Sequence, residues 1–202
     1  MRLNIAALLL FIASQAHAQD TLDFACDGTF AADASESRLA ETFGADTVSF
    51  GEIWGDEGTI PSATTLFAAD PAKRLSIIWQ DDTDRSQPRL ILIPEGSAWT
   101  VDGLQVGMSV DDVAAINGAT FNLGGFNDMD RGRVMDWGDG KLVLSTATCT
   151  VDVQFGFPHL GVPLDLSDPL ESEGLYPSDH PTYRALGARV VGITVIYPSA
   201  PG

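Results

Sequence analysis

Ser35-Glu-Ser-Arg-Leu-Ala-Glu-Thr-Phe-Gly-Ala45 and Ser109-Val-Asp-Asp-Val-Ala-Ala-Ile-Asn-Gly-Ala119 align without a gap. A serine, an apolar residue (Leu39 or Val113), an alanine and a closing Gly-Ala fall in register. Each stretch predicts a helix of about two turns. A serine hydroxyl can accept from first-turn N–H groups, one apolar stripe follows, and a glycine can take the positive φ that stops the helix. Ser109-x-x-Asp112 has the spacing of a reciprocal capping box. Arg38 holds that place in the first stretch, where Asp33-x-x-Glu36 offers a substitute cap.

Similar segments follow each helix. After the first come Val48–Ile53, Thr64–Ala69, Leu75–Gln80 and Leu90–Ile93, short and β-rich with turn residues between them. Leu66-Phe67, the Asp70-Pro71 turn and Leu75–Trp79 read as a hairpin. Val134–Trp137, Gly138-Asp-Gly140 and Leu142–Leu144 read as its counterpart after the second helix. Val151, Val153, Phe155 and Phe157 alternate as in a strand with one buried face, and so do Val191, Ile193, Val195 and Tyr197. A short helix with a single apolar stripe must bury it on a sheet. The expected class is therefore α+β: two tandem short-helix-plus-antiparallel-sheet units, 19–100 and 101–202, packed as one compact domain. Between Gly156 and Gly187 the pattern stops in a stretch holding five prolines and five acids, which is expected to lie across the core as an ordered cover segment.

Leu104-Gln-Val-Gly-Met-Ser-Val-Asp-Asp-Val-Ala-Ala-Ile-Asn-Gly118 resembles the opening of a recurring cell-envelope unit, in which Val-x-Gly-Met-Ser/Thr leads into a short helix ended by glycine. It is similar to the small outer-membrane-assembly lipoproteins of the SmpA/OmlA type and to the tandem units of the β-lactamase inhibitory proteins. Val106, Gly107, Met108, Ser109, Val113 and Gly118 stand at the matching positions. The resemblance covers about 15 residues. It implies a helix-on-sheet scaffold that presents a concave sheet, rich in aromatic and acidic residues, to a protein partner. Fold alone does not carry function.

Residues 1–18, with Arg2, the apolar run Ile5–Ile12 and Ala16-His17-Ala18, read as a signal peptide cleaved after Ala18, so the mature chain is expected in the periplasm or secreted. The run is shorter than the roughly 20 residues that span a bilayer. Cys26 and Cys149, the only cysteines, are then expected to form a disulfide in an oxidising compartment, closing a loop of more than 100 residues. A net charge of -17 argues against nucleic acid and anionic lipid and for a partner with a basic face, or for divalent cations.

Motifs that commit to a reaction are missing. No Gly-x-Ser-x-Gly, HExxH, Walker loop or dinucleotide fingerprint occurs, and only His159 and His180 follow the leader. No catalytic residue and no cofactor is assigned. Asp128-x-Asp130 is the best calcium candidate, although an oxygen ligand is missing where Gly132 stands and a glycine where Arg133 stands. Trp79 and Trp137 lie in strand patterns and are expected in the core. Trp54 sits in an acidic turn and is expected to be an exposed anchor. Trp54, Phe157, His159, Tyr176 and Tyr183 are the candidate partner-binding residues. The reading is of a non-enzymatic protein-binding module, inhibitor-like or tied to envelope assembly. Two alternatives stay open: an acidic hydrolase using paired Asp/Glu, and a calcium-dependent envelope structural protein.

Overall fold

In the computed structural model, which describes residues 22–54, 58–126, 130, 132–143, 145–157 and 174–199, both serine-led stretches are eight-residue helices: α1, Glu36–Phe43, and α2, Val110–Asn117. Ser109 Oγ accepts from Asp112 N while the Asp112 carboxylate accepts from Ser109 N, so the capping box is closed. Ser35 also caps, accepting from Arg38 N at 3.4 Å. The substitute cap expected from Asp33 and Glu36 does not form. Both Asp33 oxygens accept from the Arg38 guanidinium, and Glu36 turns to the sheet. Gly44 at φ 96° and Gly118 at φ 78° end the two helices, a region in which a side chain would be strained.

The strands are β1 Asp23–Phe24, β2 Val48–Glu52, β3 Ser62–Leu66, β4 Leu75–Asp81, β5 Ser86–Ile93, β6 Thr100–Val101, β7 Leu104–Gln105, β8 Asn122–Gly124, β9 Val134–Asp136, β10 Thr150–Gly156, β11 Leu175–Pro177 and β12 Arg189–Ile196; a third helix, α3, spans Pro181–Ala185. The main sheet runs β10-β12-β5-β4-β3-β2, and two small sheets run β11-β8-β9 and β1-β6-β7. Among the described residues the molecule is an α+β domain, mostly sheet, and no helix is long and apolar enough to cross a membrane.

The helices enter this sheet alike. Ser35 bridges Ser86, the first residue of β5, and Ser109 bridges Arg189, the first residue of β12. Around Ser35, Glu36 N donates to Arg85 O and Gln87 N to Ala34 O; around Ser109, Gly107 N donates to Val190 O and Val190 N to Met108 O. β5 and β12 lie side by side and antiparallel inside the sheet, so the two helices are anchored to neighbouring strands.

The register explains the core. On the helix side Thr64, Ile77, Ile91, Val195 and Val151 stand in one cross-strand row, and Ile93, Ile193 and Val153 stand in the next. Leu39 of α1 and Val113 of α2 are fully buried in the same cluster, joined by Phe30, Trp99, Phe121 and Trp137. At about 25 cal/mol per Å² of apolar surface removed from water, this continuous layer is the main stabilising term. Cys26 and Cys149 are disulfide-bonded with Cα atoms 6.3 Å apart, tying the chain ahead of α1 to the start of β10.

Two local expectations need correction. The hairpin at Asp70-Pro71 forms, with Leu66 opposite Leu75, but its counterpart does not. After the Gly138–Gly140 turn the chain runs to the end of α2, where Lys141 N donates to Asn117 O and Leu142 N to Asn117 Oδ1; Leu144 lies outside the described residues. In β12 and just after it the buried residues are Val190, Ile193, Val195 and Tyr197, because a bulge opposite Gln154 and Phe155 takes Val191 out of phase. The end of the proline-rich stretch is ordered and holds two short elements: β11 pairs with β8, and α3 starts with Pro181 after the capping residue His180. Residues 158–173 of that stretch lie outside the described residues.

Candidate protein-docking site

The β2–β3 hairpin follows directly from α1, and one of its faces is assigned by register. Val48 stands opposite Leu66, Phe50 opposite Thr64 and Glu52 opposite Ser62. The Ile53 N to Pro61 O bond continues that pairing and sets Trp54 opposite Ile60. This is the same face that α1 covers at Leu66 and Thr64. Beyond the helix the face runs on uncovered, with Phe50 42 % exposed, Ile60 53 % and Trp54 84 %. The polar pair Glu52–Ser62 stands between Phe50 and the Trp54–Ile60 pair on this face, so three exposed apolar side chains flank an acidic one.

The shelf is braced from beneath. Thr64 Oγ1 donates to Glu36 Oε2 at 2.6 Å and accepts from Trp79 Nε1 at 2.8 Å. Arg85 Nη1 reaches Glu36 Oε1 at 2.5 Å, and its guanidinium lies 4.6 Å from the centre of the Phe50 ring. A cation over an aromatic face at that distance contributes about 0.5–1 kcal/mol at an exposed site and fixes the ring. Beside it a shallow groove of about 440 Å³ runs between α1 and the β4–β5 turn, lined by Glu36, Ser37, Val48, Thr83, Asp84 and Arg85 among others. Asp81 Oδ1 holds that turn by accepting from Thr83 N and Asp84 N.

The other candidate partner-binding residues collect elsewhere. Phe157 is half-buried with its ring 4.3 Å from Phe126, and Tyr183 lies 5.9 Å from the same ring. Tyr176 is half-buried against this cluster on β11. Tyr183 is not a surface anchor: it is only 1 % exposed because α3 turns it inward, and burial raises its hydroxyl pKa. His159 lies outside the described residues. The structure thus brings Phe157, Tyr176 and Tyr183 together in the second half and leaves Trp54 apart from them, with Phe50 and Ile60 as its neighbours in register.

Phe50 and Ile60 were not legible as site residues. Between Val48 and Ile53 no strong alternation marks a buried face, and only pairing with β3 shows that Phe50 continues the core row. The resemblance also implies an aromatic, acidic sheet face. The face away from the helices instead carries Ser49, Thr65, Ser76, Leu92, Thr194 and Asp152 in one row, since the sheet's aromatics point to the helix side.

For a metal, the described residues hold no group of three or more His, Cys, Asp or Glu side chains. Asp128 lies outside them. The Asp130 side chain packs against Gly124, and Asp136 Oδ1 accepts from Gly138 N. Among the described residues the carboxyls of Asp33, Asp111 and Asp112 are held below their ordinary range by donation from Arg38, Arg184 and Ser109 respectively. No family model, no curated protein and no solved structure matches the chain.

Proposed function

We propose that this protein is an exported, non-enzymatic binding module assembled from two helix-on-sheet units, and that it grips a protein partner with a basic face through the β2–β3 hairpin. The observation that carries the reading is Trp54, 84 % exposed on the hairpin face that also shows Phe50 and Ile60. Tryptophan on a rigid support is the commonest kind of binding hot spot. Glu52 lies in this hairpin and the chain carries a net charge of -17, so a basic partner is steered toward it. The disulfide suits an oxidising compartment, in line with the leader sequence.

The test is capture from periplasmic or culture-supernatant extract, comparing the native protein with Trp54→Ala. The partner recovered by the native protein should bind the variant about thirtyfold more weakly by calorimetry, corresponding to about 2 kcal/mol for a hot-spot residue. Its affinity should also fall as salt is raised. Equal affinity for both proteins refutes the assignment.

A further inference from the structure

The two edges of the main sheet are finished differently. At the β10 edge, Phe155 N donates to Gly132 O, Arg133 bridges Gln154, and Ser145 bridges Thr150. The first strand after α2, β8, is covered as well: β11 lies antiparallel along it, Leu175 opposite Gly124 and Pro177 opposite Asn122. The first strand after α1 has no such cover among the described residues. β2 is the last strand of its sheet, five residues long, paired with β3 without a bulge, and Ser49–Glu52 are all exposed.

The alternation of backbone groups along β2 can be assigned. Thr47 O accepts from Phe67 N, and Ile53 N donates to Pro61 O, so the odd-numbered residues face β3. The N–H and C=O groups of Val48, Phe50 and Glu52 therefore face outward. Long, flat, unprotected edges invite another strand, and proteins normally blunt them with charged side chains, above all lysine, with proline or with a bulge. Between Val48 and Glu52 there is no lysine, proline or bulge, and Glu52 is the one charged side chain, a guard against acidic strands but not against basic ones.

We propose that β2 is completed by an extended, basic segment of the partner, which adds to the sheet edge as β11 adds to β8 and lays alternate side chains onto Phe50 and Trp54. The inference rests on the docking reading above and supplies its mode: main-chain hydrogen bonds for affinity, side chains on the shelf for specificity. Charge selects the occupant. A second copy of this chain would bring two bodies of charge -17 together with Glu52 at the joint, whereas an alternating lysine/valine strand meets Glu52 with opposite charge.

The experiment uses the full mature chain and a seven-residue peptide of alternating lysine and valine, beside the same peptide N-methylated at every second residue to block one backbone edge. Amide hydrogen exchange is followed residue by residue. The unmodified peptide should saturate and slow exchange at Val48, Phe50 and Glu52 at least tenfold, while the methylated peptide binds about tenfold or more weakly, as expected when backbone bonds are lost. Equal binding by both peptides overturns strand addition. So does binding lost with Trp54→Ala but without protection of those three amides, and that result leaves the docking reading standing. Protection of the three amides with native-partner affinity unchanged in Trp54→Ala supports the edge and sinks the docking reading instead. Protection that appears without peptide, together with a dimer in sedimentation, assigns the edge to a second copy and overturns the basic-segment proposal. No saturation up to millimolar peptide does so too.

Discussion

The half of the molecule that begins at Ser35 and the half that begins at Ser109 start alike and finish differently. Each opens with a serine-capped helix of eight residues pinned to the first residue of a central strand. After α1 the chain makes a plain meander, β2 through β5, in one sheet. After α2 the strands divide: β8 and β9 leave with β11, while β10 and β12 join the main sheet. The helix ends differ as well. Phe43 closes α1 with an aromatic ring packed against Trp99, 6.3 Å between centroids. Asn117 closes α2 with a buried amide that donates to Ala119 O and Trp137 O and accepts from Leu142 N. Gly140 passes so close that a Cβ there would lie 2.0 Å from Asn117 Oδ1. The second half is thus closed by fixed hydrogen bonds and an added strand, while the first keeps an open edge and an exposed aromatic shelf. Similar openings do not oblige similar endings.

The strongest test of this contrast is the bond that joins the halves. Replacing Cys26 and Cys149 by alanine frees a closure spanning 123 residues, and stability should fall by about 4–5 kcal/mol in the chain-entropy account, read by chemical denaturation. A drop below about 1 kcal/mol means that packing alone holds the two halves together.

Asn117→Ala comes next. It removes three hydrogen bonds and strands buried carbonyls, so a loss of about 3 kcal/mol is expected, with the thermal midpoint falling accordingly. A near-neutral result would show that the end of α2 tolerates rearrangement and is not the fixed element described above.

The smallest effect separates the two caps. Ser109→Ala should cost about 1 kcal/mol and Ser35→Ala less, since the Ser35 bond is longer and no carboxylate returns it. The Asp112 carboxyl is held below its ordinary pKa mainly by the Ser109 side chain. A lowered folded-state pKa gives stability that is present at neutral pH and lost as pH falls below the unfolded value of about 3.9 and through the folded one. The Ser109→Ala penalty should therefore shrink between pH 7 and pH 3 in thermal melts, and the Ser35→Ala penalty should not.

How much of this could be read beforehand depended on whether the signal was local. Ser35, Gly44, Ser109 and Gly118 announce two helices because capping is settled within a few residues of chain. The Asp70-Pro71 hairpin was legible for the same reason, and a chain with two cysteines offers only one intramolecular pairing. The remainder depended on pairing across the fold. Val191 keeps the period-two pattern yet leaves the core row, because the bulge is set by its partner strand. Asn117 looked like an ordinary helix end until the chain after Gly140 returned to it. Phe50 gained meaning only from Thr64 opposite it. The burial of Tyr183, a candidate partner-binding residue by sequence, depends on α3 turning it inward, and the local signal for that helix is Pro181 after His180.

The arrangement of the tryptophans also makes the protein its own optical reporter. Trp79, Trp99 and Trp137 are buried, and Trp54 alone of the four stands in water. A collisional quencher in solution meets Trp54 first, and a neutral one such as acrylamide is preferable to iodide, which the acidic surface repels. Anything that settles on the hairpin should shield that one indole and shift its emission toward the blue, so occupancy can be followed in the unlabelled native chain.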